Sequence, residues 1–402
     1  MLNNYLIYFY QPSKESGIPN LIPQGRIVLG ILTIIGLIKA IGHIIDAVTD
    51  PLIASCSDKS KHPDGRRIPL MKKAAIPFGL CALLMTLFTA NGLLIGNTCM
   101  ALRGIGAQPH CCVSRTYQDW LITQRTSAPA RNTRASICWL MDIPALYRCR
   151  APGNTCLSAL TQQQEHPPLE SYIGQPQNHS KGCGGVMRVA PLGVSRYTAM
   201  PIDALDREGA ELAAITHGHS LGYMPAAVLT HILHRIVYPE QARTLLQIVR
   251  EARDTVRALF AGDKHLDELT ARIDLAIRLA GNDEPDLANI HCLGEGWVAE
   301  ETLAIAIYCA LRHADDFSAG IIAAVNHCGD SDSTGAVTGN ILGALLGYDA
   351  NGKAWTRDLE LRDVILELAD DLARCPECLQ DCRGVDRDWE RKYVQGRAVP
   401  TV

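Results

Sequence analysis

The stretch His327-Cys328-Gly329-Asp330-Ser331-Asp332-Ser333-Thr334-Gly335 runs directly into Ala336-Val337-Thr338-Gly339-Asn340-Ile341-Leu342-Gly343. Two carboxylates stand two residues apart, between a turn-forming glycine and an apolar, small-residue helix. A single Asp before a helix is an N-cap. One cap does not account for both Asp330 and Asp332. Together with Ser333 they place three hard oxygens at a helix start, a donor set suited to a divalent cation such as Mg²⁺. A capped, solvated acidic turn is the plainer reading of the same residues. Gly335, Gly339 and Gly343 fall on nearly one helix face despite the cost of glycine inside a helix. That stripe predicts a second backbone packed closely against it.

Around this stretch lies a chain of 402 residues, room for two or three domains. Hydrophobic residues make up 47% and aromatics only 5%. The core is therefore expected to be Ala, Leu, Ile and Val, which favours helices. A net charge of -4 gives no basis for a nucleic-acid partner. The 15 cysteines are odd in number and follow no regular framework. The first residues lack the basic start and apolar run of a cleavable signal. A reduced, cytosolic setting for most of the chain is the expectation.

Residues 27–54 are largely apolar, interrupted by Lys39, His43, Asp46 and Asp50. Asp46 and Asp50 share a helix face. In a membrane such acids mark an ion path; in a soluble helix they are its wet side. A basic connection follows, with Lys59, Lys61, Arg66, Arg67, Lys72 and Lys73. Ala74 to Leu102 then carries no ionisable Asp, Glu, Lys, Arg or His. It reads as a transmembrane helix or a buried core helix, and from Met85 onward the core helix is preferred. If only the first apolar segment spans, residues 55–402 stay on the cytoplasmic side with the basic loop.

Further on, Ser180-Lys181-Gly182-Cys183-Gly184-Gly185-Val186-Met187-Arg188 places a glycine cluster before a helix. Free amides in such a loop can hold an anion, although a plain turn has the same composition. Arg188 is the nearby cation, for a phosphate or for a structural ion pair. Helices are predicted over 222–236, 240–262 (with Pro239 at its start), 265–280, 294–311, 317–326 and 357–374. The acids after Gly294 fall in a first helical turn, where the helix dipole favours them. In the tail, Cys375, Cys378 and Cys382 lack an evident fourth zinc ligand. Trp389 and Tyr393 are expected to pin the C-terminus to the core.

Two families are resembled. Asp46-Ala47-Val48-Thr49-Asp50-Pro51-Leu52-Ile53, Ser57-Asp58 and Gly65-Arg66-Arg67-Ile68-Pro69 resemble the melibiose-type cation:sugar symporters, over about residues 5–84. The resemblance implies that Asp46 and Asp50 derive from a coupling-cation site. A lipid-spanning helix needs about 20 apolar residues, so this stretch is too short to enclose a sugar pathway, and transport is not expected. Met85-Thr86-Leu87-Phe88-Thr89-Ala90-Asn91-Gly92, Tyr117-Gln118-Asp119-Trp120-Leu121, Ala151-Pro152-Gly153-Asn154-Thr155-Cys156, the glycine cluster and the Asp330 turn resemble the ADP-ribosylglycohydrolases, over about residues 85–402.

This second resemblance implies an all-α, orthogonal helical bundle, here preceded by one or two apolar helices. It implies removal of ADP-ribose from protein side chains, with Mg²⁺ assisting water at the ribose anomeric carbon. Asp330, Asp332 and Ser333 match metal ligands. Gly184, Gly185, Met187 and His217 match the ADP-ribose pocket. The family holds two Mg²⁺ ions and takes their other ligands from a Thr-Asp-Asp-Thr motif. Here those positions read Leu80-Cys81-Ala82-Leu83, and the catalytic acid further upstream has no counterpart, leaving one ion or none. Three readings follow: an impaired hydrolase acting on ADP-ribosylated protein, a non-catalytic ADP-ribose binder, and a transporter-derived chain tethered to a membrane through residues 27–54.

Overall fold

The structure is a computed structural model that describes residues 27–28, 32–33, 80–103, 108–129, 136–149, 152–165, 172–195, 200–348, 353–357, 359–380 and 386–399. The chain divides into two units, Met1–Arg67 and Ile68–Val402. In the first, the described residues form a short antiparallel ladder of β1 (Ile27–Val28) and β2 (Leu32–Thr33), with Ile27 opposite Thr33 and Val28 opposite Leu32. The apolar helix expected from Ile27 is corrected there, since these residues are extended, as β-branched side chains favour. Asp46, Asp50 and the rest of the symporter-like stretch up to residue 79 lie outside the described residues.

The second unit is all-α. Helix α1 (Leu80–Arg103) is apolar on all faces and runs unbroken through residue 84. It is long and apolar enough to cross a bilayer, yet 67% of its window Leu84–Leu102 is buried inside the protein. A helix apolar all round and enclosed by other helices is a core helix. Helix α2 (Pro109–Arg125) returns antiparallel to it. Thr116 Oγ1 donates to Phe88 O at 2.7 Å, and the Thr89 and Tyr117 hydroxyls lie 2.6 Å apart. Gly92 makes this approach possible, because a Cβ there would sit 2.8 Å from Val113 Cα.

Helices α3 (Asn154–Glu165) and α4 (Ala190–Val194) flank the glycine loop in sequence. Helices α5 (Ile202–Ala214) and α6 (Ser220–Val237) pack as a pair, and α6 is buried from Ser220 through Leu233. Helix α7 (Leu245–Leu259) starts at a capping box: Thr244 Oγ1 accepts from Gln247 N at 3.3 Å, and Gln247 Oε1 accepts from Thr244 N at 2.8 Å. That reciprocal cap sets the helix start, and the residues after Pro239 are irregular rather than helical. Helices α8 (Leu266–Ala280), α9 (Asp286–Leu293), α10 (Ala299–Arg312), α11 (Phe317–Val325) and α12 (Ser331–Leu346) follow. Helix α10 packs on α8, α12 and α6 and buries nearly its whole length. The chain closes with α13 (Lys353–Thr356), α14 (Arg362–Gln380) and α15 (Arg387–Tyr393).

The glycine stripe of α12 does not meet a second backbone. A Cβ on Gly335 would press on Val325 Cγ1 at 2.7 Å, one on Gly339 would make an ordinary 3.5 Å contact, and Gly343 has nothing within 4 Å. The tighter approach is at Gly320 on α11, where a Cβ would push on the end of the Leu342 side chain. The buried or half-buried Cys156, Cys183 and Cys309 carry no disulfide.

The C-terminus is pinned as expected. Trp389 is buried against α1, and its Nε1 donates to Thr98 Oγ1 at 3.0 Å. Tyr393 OH donates to Asp371 Oδ2 at 2.5 Å, and the buried Lys392 bonds the same carboxylate. Trp389→Ala should cost about 3–5 kcal/mol in urea unfolding, the usual price of a large core truncation. Trp389→Phe, which keeps most of the packing and loses the hydrogen bond, should cost far less; equal losses would mean that packing is not what holds α15.

Candidate functional site

The glycine loop is built on one buried cation. Arg188 has no exposed surface. Its Nη2 donates to Leu212 O at 3.2 Å, Ala213 O at 3.3 Å and Thr216 Oγ1 at 2.7 Å. Its Nη1 donates to Gly184 O at 3.2 Å, and the guanidinium lies 4.8 Å from the centre of the Tyr117 ring. These partners are carbonyls, a hydroxyl and a ring face. Arg188 is therefore a strut under the loop, corrected from the phosphate cation or ion-pair member that the sequence suggests. A buried charge survives only when hydrogen-bonded in this way.

His217 rests on that strut. The Thr216 hydroxyl accepts from Arg188 and also bonds His217 Nδ1 at 2.8 Å. The imidazole is neutral. Burial, aided by Arg188, holds its pKa down to about 3. The ring lies against the glycine loop. A Cβ on Gly184 would sit 3.2 Å from His217 Cε1, and one on Gly185 would sit 3.1 Å from both Ala213 Cβ and Gly222 O. Any larger residue at these positions would press on His217 and the α5–α6 corner. Met187 is buried in the short turn that follows, its N–H donating to Cys183 O at 3.3 Å. His219 does other work: it caps α6 by accepting from Leu221 N at 3.1 Å and stacks on His265 at 4.6 Å.

Asp330 occupies the N-cap position of α12 but makes no side-chain cap bond. The plain capping reading fails for that reason. Its carboxylate turns instead across the fold, where Oδ2 accepts from Ser333 Oγ at 2.7 Å and from Cys183 Sγ at 3.0 Å. The thiol is the middle residue of the glycine loop, so this bond joins the two motifs over 147 positions of sequence. Burial and then Asp330 push the Cys183 thiol well above its ordinary range. Burial, followed by the neighbouring Asp330, raises Asp332 to about 7. Two carboxylates this close cannot both ionise freely.

A third segment, expected only as the start of a helix at Gly294, clamps the other two. The turn Gly294–Trp297 has positive φ at Gly294 (121°) and Gly296 (81°). Glu295 O accepts from Asp330 N at 2.7 Å, and no side chain at Gly329 would clear that carbonyl. On its other side the turn pairs Val298 with Gly182, and Ala299 N donates to Lys181 O at 2.9 Å. Lys181 Nζ also reaches the buried Glu300 carboxylate at 2.8 Å. The glycines at 294 and 296 were the available sequence signal, read instead as a helix start.

The donors Asp330, Asp332 and Ser333 fit part of a hard-cation site. Among the described residues no group of three His, Cys, Asp or Glu side chains is placed to hold a metal. Mg²⁺ wants near-ideal octahedral geometry, and three oxygens do not supply it. Cys81 and Ala82 lie on α1 one turn before Met85, whose Sδ is 3.8 Å from Arg188 Nη1. The start of α1 thus approaches the footing of the glycine loop.

A pH dependence follows from His217. Its ordinary pKa is 6.5 and its folded value about 3. Between these limits the unfolded chain binds a proton that the folded chain refuses, so stability is full above 6.5 and is lost as pH falls toward 3. From pH 7 to pH 4.5 this histidine should account for roughly 2–3 kcal/mol. His217→Gln should lose that much less stability than the parent over the same interval in urea titrations. Identical pH slopes for the two proteins would show that the imidazole is not held neutral.

The family model for ADP-ribosylglycohydrolase matches residues 82–380. The ADP-ribosylarginine hydrolase Tri1 of Serratia proteamaculans is 28% identical over 225 residues, covering 56% of this chain and 55% of that protein. The human ADP-ribosylhydrolase ARH3 is 25% identical over 202 residues, covering 45% and 54%. The uncharacterized protein YegU of Escherichia coli is 26% identical over 216 residues, covering 52% and 62%. The chain thus spans about half the length of the curated relatives it matches most strongly. A solved structure titled ADP-ribosylglycohydrolase-related protein complex aligns with a TM-score of 0.38 at 23% identity, covering 72% of this chain and 97% of that one. With the family model matching well over half of its residues, the chain belongs to the ADP-ribosylglycohydrolase family.

Proposed function

We propose that this protein is a slow hydrolase of ADP-ribose linked to protein side chains, working where the glycine loop meets the Asp330 turn. The observation that carries this reading is the Cys183–Asp330 bond, which brings the loop and the acidic pair into contact. Gly184, Gly185 and Met187 would face the diphosphate and ribose. Neutral His217 would stand beside them. Both relatives named for an ADP-ribosyl hydrolase activity support the ligand class.

Breaking the glycosidic bond builds positive charge on the ribose. A carboxylate beside that carbon stabilises the charge. Water adds to the anomeric carbon and gives its proton to the carboxylate pair, while the departing side-chain nitrogen or oxygen recovers one. A positioned acid–base group contributes about 10²–10⁴ in rate. The Mg²⁺ ions of the family would normally share this work, but the donors described here build only part of such a site. That deficit favours slow turnover and supports a second reading, a protein that binds ADP-ribose without cleaving it.

Release of ADP-ribose from modified protein should be slow and should fall about a hundredfold in Asp330→Asn. If the parent shows no release, while calorimetry shows ADP-ribose binding that survives chelation of metal, the binding reading replaces the hydrolase. Restoring acids with Cys81→Asp and Ala82→Asp should make turnover or binding respond to Mg²⁺ at lower concentration. An unchanged Mg²⁺ titration would sink the correspondence of these positions with the missing ligands.

A further inference from the structure

The acidic turn is closed by a thiol. Asp330 Oδ2 accepts from Ser333 Oγ at 2.7 Å and from Cys183 Sγ at 3.0 Å, and the sulfur and the Ser333 oxygen lie 3.2 Å from each other. A carboxylate oxygen offers two lone pairs, so both of those on Oδ2 are taken by donors of the protein itself. Asp330 and Ser333 are buried and Cys183 is half-buried, which keeps the triangle out of bulk water.

Backbone brings the two ends of this contact together. Gly182 pairs with Val298, and Met187 N donates to Cys183 O, which fixes the thiol's segment. Asp330 N donates to Glu295 O, which fixes the carboxylate's segment. The turn 294–297 thus carries both, and no ion is needed to draw them in. In a metal site the ion does that work, and its binding energy is spent on assembling ligands from separate segments. Mg²⁺ takes oxygen and not sulfur. The thiol therefore stands against a hard cation at this place, in agreement with the misfit of the remaining donors.

We infer that Cys183 is a positioning residue that does by hydrogen bonding what an ion does in a hard-cation site: it ties the acidic turn to the glycine loop and closes Asp330 to Mg²⁺. This rests on the reading of the two segments as one ADP-ribosyl site, and it makes the assembly of that site independent of metal. The test uses the full chain, with melting temperature and ADP-ribose calorimetry measured in chelator and in millimolar Mg²⁺. The parent should give the same melting temperature and the same ADP-ribose affinity in both. Cys183→Ala should melt lower in chelator, and Mg²⁺ should then raise its melting temperature by about 2–4 °C. Cys183→Ser, which keeps a donor facing Asp330, should respond to Mg²⁺ as little as the parent does. A thiol that only fills space would lower the melting temperature when truncated but would confer no response to Mg²⁺. A parent that responds to Mg²⁺, or a Cys183→Ala protein no more responsive than the parent, overturns the inference. If Cys183→Ala does not fold, Mg²⁺ calorimetry of the parent decides: silence supports the inference, and a binding heat that disappears in Asp330→Asn overturns it. Absence of ADP-ribose binding in every condition overturns the reading of the site alone, because the Mg²⁺ comparison does not involve that ligand.

Discussion

A guanidinium shut away from water has to find its hydrogen bonds inside the protein, and Arg188 finds them on four separate segments. Gly184 O belongs to the glycine loop, Leu212 O and Ala213 O end α5, Thr216 precedes α6, and Met85 Sδ brings in α1. Losing one partner leaves a buried charge short of a bond, which costs more than an ordinary hydrogen bond does. The loop, the helix corner and the core helix are therefore fixed relative to one another by a single side chain. His217 takes its neutral state from this arrangement, through burial and the charge of Arg188, and shares the Thr216 hydroxyl with it.

Apolar spacing carried most helix positions, and the family resemblance carried the all-α class. Helix α6, expected over 222–236 as an amphipathic helix, is present but enclosed on all faces from Ser220 to Leu233. Local chemistry misled where a competing cap was stronger. Pro239 suits a helix start, but the Thr244–Gln247 box supplies two bonds and Pro239 supplies none. The small-residue stripe of α12 misled for another reason. Glycine spacing shows where a backbone can be approached, not whether anything approaches it, and Gly343 faces open space.

The candidate site was legible in parts and not as a whole. Asp330, Asp332 and Ser333 announce a functional turn by their density of oxygens, and Gly184 and Gly185 announce a tight loop. Nothing in one sequence links positions so far apart as Cys183 and Asp330. That pairing depends on where α10 and α12 place their N-termini after packing on α6. Cys183 carried no signal of its own, since a thiol between glycines fits an inert turn equally well.

The turn at 294–297 shows why such a link needs backbone rather than side chains. Asp330's amide donates to Glu295 O at 2.7 Å, which fixes the turn from which its carboxylate crosses toward Cys183. Gly329 must be glycine for that carbonyl to come so near. Glu301 in turn occupies the two amides of Glu295 and Gly296, which holds the positive-φ glycines in place. Asp330 and Asp332 then sit against each other, the first bonded by Ser333 and Cys183 and the second by the first amides of α12, and burial with their mutual repulsion raises the pKa of Asp332.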